Sequence, residues 1–195
     1  LVIGRQLDFL TEKNPGYDRS QVLNFWMSGS MQEHAETVKR RLTNIPGVTG
    51  VSFASNPIID NQNSTGDIKW GAGEVDQELV VTPMAIDEQF IPLLKMNLIA
   101  GENFKGISTD STHFIINQTA AKAMGMTNPV GQNLELYETK GTIVGVVEDY
   151  HFRDLKSDIG PAVMYYAPDA YRVYLKTSGT NTTATIAAVE ELWKE

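Results

Sequence analysis

The sequence predicts an α+β fold, and three observations carry the prediction. Near the start, a short strand, an amphipathic helix and an alternating strand follow one another as a β-α-β unit over residues 22–53. In the middle, strands alternate with short helices and turns. At the two ends, Ile3, Leu7 and Leu10, and then Ile186, Val189 and Trp193, recur at helical spacing, so the chain opens and closes on helices.

Each element has its own signal. Asn14-Pro-Gly16 ends the first helix, and Val22 to Met27 reads as a strand with Ser28-Gly-Ser30 as its turn. Met31 to Asn44 reads as a helix that turns Ala35, Val38 and Leu42 inward, and Pro46-Gly47 stops it before Val48 to Phe53 alternates as a strand should. Asn56 to Glu78 is rich in Asn, Gly, Ser and Asp, with one short strand at Asp67 to Trp70. Leu79 to Thr82 reads as a strand, Asp87 to Lys95 as a helix despite Pro92, and Gly101-Glu-Asn-Phe104 as a turn. Phe114-Ile-Ile116 is a strand leading into Asn117, whose side chain can cap a helix through Ala123 that stops at Gly125. After the turn Asn128-Pro-Val-Gly131, four strands are expected: Leu134 to Tyr137, Thr142 to Val147, Ala162 to Tyr166 and Tyr171 to Lys176. The last helix begins near Thr182.

The chain has 195 residues, enough for one sizeable core or two subdomains. Sixteen basic against twenty-four acidic residues give a net charge of −8, which disfavours nucleic acid and anionic lipid as partners. With no cysteine, disulfides, thiolate metal sites and cysteine nucleophiles are excluded together. No apolar run approaches the roughly 20 residues of a membrane span, and the opening Leu1-Val-Ile-Gly4 reads as the start of a piece cut from a longer protein.

The stretch Ile143 to Leu155 sets an apolar strand against Glu148, Asp149, His151 and Asp154, which could supply an acid, a base and an orienting partner at a strand end. The simpler reading is preferred: the strand leaves the core at Val147, Tyr150 and Phe152 anchor it, and no nucleophile or metal is nominated nearby. His34 and His113 lack metal-ligand spacing, and Asp60 and Asp67 lie in no calcium loop. Gly71-Ala-Gly73 lacks the sequel of a phosphate loop, and no nucleophile-elbow serine occurs. Asn63, Asn117 and Asn181 fit the Asn-x-Ser/Thr pattern, with Asn117 better explained as a cap. No catalytic, cofactor or metal residue is therefore assigned.

Several segments occur together in a recognisable order: Asn44 to Ser52, Met96 to Phe104, Phe114 to Gly125, Asn128 to Gln132 and Gly141 to Leu155. From about Tyr17 to Tyr166 the chain resembles the MacB-like periplasmic domain of FtsX-type ABC transporter permeases. One departure is Glu102, where the family often carries arginine after the glycine. The resemblance implies a porter-like subdomain from both chain ends (1–80 and 167–195) and a second, mixed α/β, sabre-like subdomain inserted at 81–166. It implies a domain on the periplasmic side of the bacterial inner membrane, set between the first two membrane helices, with Ile3, Leu7 and Leu10 facing Ile186, Val189 and Trp193 as the tops of a stalk. Gln6 through Val22 resembles the lead-in to the second copy in permeases whose unit is duplicated.

The function so implied is mechanotransmission: coupling of ATP hydrolysis by a cytoplasmic ABC ATPase to movement outside the membrane, with no enzymatic step and no cofactor in the domain. The implied partners are the permease's own transmembrane helices, a second permease copy or subunit, the ATPase, and a periplasmic adaptor or substrate, but no nucleic acid. The polar segment Asn56 to Glu78 and the inserted subdomain are where contacts with them are expected. Two alternatives stay open: a stand-alone extracytoplasmic ligand-binding module lined by Trp70, Tyr137 or Tyr150, and a hydrolase using Asp149 and His151.

Overall fold

Ala35, Val38 and Leu42 share one face of the helix Ala35–Thr43 (α1), and all three are buried. A 3₁₀ turn, Gly29–His34, leads into it, so the α-helical part of the expected helix is shorter than its apolar spacing suggested. Before it comes the strand Val22–Trp26 (β1) and after it Val48–Ala54 (β2). The computed structural model describes residues 15–27, 29–71, 79–152, 158–180 and 182–192. The expectations for Ile3, Leu7, Leu10, Asp154, Asn181 and Trp193 lie outside these residues.

The remaining strands are Ile68–Trp70 (β3), Thr82–Ile86 (β4), Leu98–Gly101 (β5), His113–Asn117 (β6), Asn133–Leu136 (β7), Thr139–Val147 (β8), Ala162–Tyr166 (β9) and Arg172–Thr177 (β10). Between them lie Phe90–Leu93 (α2) and Gln118–Ala123 (α3), and Thr182–Leu192 (α4) comes last. Among the described residues all ten strands join one mixed sheet in the order β1-β10-β2-β4-β9-β6-β8-β7-β3, with β5 pairing β8 off that path. The fold is thus the expected mixture of α and β.

The β-α-β unit is split. β10 is antiparallel to both β1 and β2 and lies between them, so the two early strands run parallel without touching. Farther along, β6 and β8 are parallel neighbours, and α3 begins directly where β6 ends. Asn117 caps α3 as expected: its Oδ1 accepts from the Ala120 amide at 2.9 Å. The same oxygen accepts from the Ala162 amide at 2.9 Å, and Asn117 Nδ2 donates to the Gly160 carbonyl at 2.9 Å. One side chain therefore fixes the helix start against the start of β9.

Three expectations are corrected. The strand expected at Leu79 to Thr82 runs instead through Thr82–Ile86, all of it buried, despite Pro83. Proline lacks an amide donor and discourages a strand assignment, yet β4 accommodates it in parallel pairing beside Val163. The helix expected from Asp87 to Lys95 spans only Phe90–Leu93. Pro92 fits within that first turn, where amides have no acceptor inside the helix, and Lys95 then turns left-handed at φ 50°. Gly101 closes a strand, β5, rather than opening a turn. Its φ is +71°, and a Cβ there would lie 2.0 Å from the Val144 carbonyl oxygen, so only glycine lets β5 approach β8.

Alternation along the strands divides the apolar side chains between the faces. Val173 and Leu175 of β10 pack with Phe53, α1 and Val189 of α4, whereas Tyr174 between them joins a second cluster with Met84, Ile86, Phe90 and Leu94. That second cluster continues through Met164, Ile115 and Val147 to Tyr150 and Phe152. Phe114, Ile116, Ile143, Val146 and Val163 turn the other way onto Ala120 and Ala121 of α3. Val189, expected to face a stalk partner, is buried against the β2–β10 strands and α1.

Phe152 is 2% exposed and its ring lies 5.4 Å from that of Tyr150. Phe152→Ala is expected to lower unfolding stability by about 3–5 kcal/mol in a denaturant titration, from lost apolar contact plus the cavity left behind. His151→Ala, beside it but only partly buried, is expected to change stability far less.

Candidate functional site

The described acids after β8 bond to neighbouring segments. Asp149 accepts from the Thr119 amide at 2.9 Å and the Thr119 hydroxyl at 2.8 Å, reinforcing the α3 N-terminus from outside, and its own amide donates to Gln118 Oε1 at 3.2 Å. Glu148 accepts from Asn97 Nδ2 at 3.0 Å. The His151 amide donates to the Pro15 carbonyl at 2.8 Å, tying the start of the described chain to the exit of β8. Asp149 and His151 thus have separate partners. Tyr150 is buried at 1% exposure, and burial pushes its hydroxyl above the usual tyrosine range.

The other sequence candidates are equally scattered. His34 is exposed at the end of the 3₁₀ turn. His113 Nδ1 lies 2.9 Å from Asp110, whose other oxygen takes the Lys105 and Gly106 amides at 2.7 and 2.8 Å. Asp60 accepts from Gln62, and the Asp67 amide donates to Thr65 Oγ1 at 3.0 Å. Among the described residues no three His, Asp or Glu side chains gather as metal ligands. Asn63 is exposed, whereas Asn117 is sealed in its cap at 1% exposure. Trp70 donates to the Met124 carbonyl at 3.1 Å, Tyr137 stands exposed at the β7–β8 turn, and Tyr150 lies in a different cluster, so the three do not line one pocket.

What the structure does assemble is a charge cluster between β2 and β4. The fully buried Asp87 carboxylate accepts from Ser52 Oγ at 2.6 Å, the Phe53 amide at 2.9 Å and the Gln89 amide at 3.1 Å. Lys39 of α1 places its ammonium 2.9 Å from both Asp87 and Glu88, with the Phe53 ring 5.7 Å away. Burial by itself would lower the Lys39 pKa, but Asp87 and Glu88 outweigh it and hold Lys39 protonated above its usual range. Tyr166 reaches Glu88 at 3.4 Å, and burial, with the Glu88 charge, pushes its hydroxyl up to about 12. This cluster escaped sequence reasoning. The signal available was Lys39 directly beside inward-facing Val38, and an Asp-Glu pair at the end of an apolar strand.

A second feature is on the surface. Trp26, 51% exposed, stacks on Tyr171, 41% exposed, with ring centroids 5.3 Å apart, and the Arg172 guanidinium lies 4.0 Å from the indole centroid. Arg172 also donates to Asn24 at 2.5 Å. Among the described strands, β1 ends the sheet here.

These features describe a mixed α/β domain in which polar side chains join distant segments. Known structures share its architecture. The periplasmic region of MacB from Actinobacillus actinomycetemcomitans superposes with a TM-score of 0.63 at 14% identity, covering 92% of this chain and 85% of that one. The extracellular domain of the noncanonic ABC-type transporter YknZ from Gram-positive bacteria gives a TM-score of 0.59 at 16% identity, over 88% of this chain and 91% of that one. No curated protein matches. The family model of the MacB-like periplasmic core domain matches residues 7–192, and the chain belongs to that family. It is therefore a periplasmic domain of the kind carried by MacB- and FtsX-like ABC transporter permeases.

Among the described residues no helix is long and apolar enough to cross a membrane. One of the polar joints, at Asp110, makes stability depend on pH. Burial raises the Asp110 carboxyl, but His113 and the amides of Ile107, Lys105 and Gly106 more than reverse this, and the net shift is downward. A carboxylate whose folded pKa is depressed stabilises the fold at neutral pH, and that contribution disappears as pH falls below about 4 toward the folded value. The stability gap between the native domain and Asp110→Asn is accordingly expected to be widest near pH 7 and to shrink toward pH 3 in urea titrations. A gap independent of pH would contradict this assignment.

Proposed function

We propose that this domain transmits motion in an ABC transporter permease: ATP binding and hydrolysis by a partner ATPase in the cytoplasm rearrange the membrane helices, and the domain carries the rearrangement outward to a substrate or adaptor. The observation that supports this best is the continuity of the sheet. Strands from the two ends of the chain, β1, β10 and β2, belong to the same sheet as the inserted strands β4 through β9. Displacement applied near the chain ends therefore reaches the far edge through backbone hydrogen bonds, without needing a ligand or a chemical step.

We read the segments 1–80 and 167–195 as the membrane-proximal part and 81–166 as the inserted part, with β3, though early in sequence, standing on β7 of the inserted part. A second permease copy or subunit completes the working pair. The test is made on the complete permease with its ATPase. Lys122 is exposed and the chain has no cysteine, so Lys122→Cys gives a single labelling site in each copy of this domain. The label-to-label distance between paired copies is expected to shift when the ATPase is trapped with nucleotide. An unchanged distance would remove the transmission reading.

The segment following Asn56 is proposed to touch the outer partner. Residues 60–75 contain β3, whose Ile68 is 5% exposed, so excising them would damage the sheet edge. Point changes are cleaner, because Gln62, Asn63 and Ser64 are exposed. Replacing all three by arginine is expected to reduce transport while leaving the thermal midpoint within a few degrees, as surface substitutions usually do. Undiminished transport would place the contact elsewhere.

A further inference from the structure

The sheet is continuous but unevenly joined. β10 pairs with β2 over six residues and β4 with β9 over five, whereas between β2 and β4 only Ala54 stands opposite Ile86. Two backbone hydrogen bonds flank that pair, Asp87 N–H to the Phe53 carbonyl at 3.0 Å and Ser55 N–H to the Ala85 carbonyl at 2.9 Å. In an ordinary antiparallel ladder the return donors would go to the facing carbonyls. Here side chains take them: the Phe53 amide goes to Asp87 Oδ2 at 2.9 Å, and the Ala85 amide goes to Ser55 Oγ at 3.0 Å. Neither of these two amides is left wanting, so the strands part after one pair without the penalty that unpaired amides would impose.

The surroundings of this seam differ on its two sides. Phe90 and Tyr174 meet edge to face, with centroids 5.1 Å apart, within the continuous apolar cluster that spans both parts. Apolar contacts of this kind are non-directional and tolerate small rotations, and the charged tie on this side, Asp18 to Lys95 and Lys176 at 3.0 Å each, runs through a Lys95 side chain that is largely exposed. From α1, which packs in a separate cluster with Val51 and Phe53, Lys39 reaches across to Asp87 and Glu88. Charge-assisted hydrogen bonds are short and directional and tolerate rotation poorly.

We propose that the Ala54–Ile86 pair is a flexure joint between two stiff leaves of the sheet, β1-β10-β2 and β4-β9-β6-β8-β7-β3, and that the Lys39–Asp87–Ser52 cluster is the latch that sets its rest angle. Asp87 is a positioning residue: it touches no substrate and acts by fixing one leaf against the other. The inference concerns this chain alone and stands whether or not the domain transmits motion in a transporter.

The absence of cysteine makes the test direct. In the 195-residue chain, spin labels at Glu36→Cys on α1 and Lys122→Cys on α3 span the joint, whereas labels at Lys122→Cys and Lys140→Cys lie within one leaf; all three positions are exposed. Asp87→Asn and, separately, Lys39→Met are each introduced into both labelled backgrounds. The proposal expects the spanning distance distribution to widen roughly twofold or to shift its mean, as a released hinge does, with the within-leaf distribution unchanged. It is overturned if the spanning distribution keeps its width and mean. It is equally overturned if both distributions widen together, or if both variants fail to fold, because the cluster would then be a support of the common core and not a latch.

Discussion

A carboxylate with no exposure to water dictates much of this architecture. Removing Asp87 from solvent carries a penalty of several kcal/mol, which is tolerable only if a cation and several donors meet it. Ser52, the Phe53 amide, the Gln89 amide and Lys39 supply them, and they come from β2, from the loop beyond β4 and from α1. The position of α1 over the sheet, the divergence of β2 from β4 and the turn before α2 are all constrained by one charge. Replacing Asp87 by an apolar residue would leave the Phe53 amide and the Ser52 hydroxyl to find partners elsewhere, with Glu88 still beside Lys39.

The same device recurs. Asp110 gathers the amides of Lys105, Gly106 and Ile107, Asp149 holds the Thr119 amide, and Asn117 serves both α3 and β9. Asp18 bridges Lys95 and Lys176 at 3.0 Å each, fastening the segment before β1 to the end of α2 and to β10. A chain with net charge −8 thus uses several acids as connectors between distant segments. Polar groups that satisfy backbone donors confer specificity of arrangement as well as stability.

Local signals were legible, and non-local ones were not. The inward stripe Ala35, Val38 and Leu42, the Asn117 cap and the strand Ala162–Tyr166 lie within a few residues of the features that reveal them. The burial of Tyr150 and Phe152 could likewise be read from their alternation after an apolar run. β4 was hidden by Pro83, whose tolerance depends on the strand beside it. β5 has the weak pattern of an edge, with Ile99 exposed and Gly101 chosen for its approach to Val144. The charge cluster was invisible because Ser52 and Asp87 are 35 residues apart, and no periodicity links them. Ordered segments along the chain identified the family, while the joint on which the sheet depends needed the fold.

The interposed position of β10 has a consequence for how the domain is made. β1 and β2 are translated well before β10, the strand that separates and pairs them. Until it arrives, the apolar faces of Leu23, Val51 and Phe53 lack Val173 and Leu175, and the two early strands present open edges. Closure of such a long loop is slow relative to local folding. The middle strands can zip among themselves first, leaving the outer leaf to be completed by insertion, so a chain in which β10 has not yet paired is most vulnerable to wrong pairing at β1 and β2.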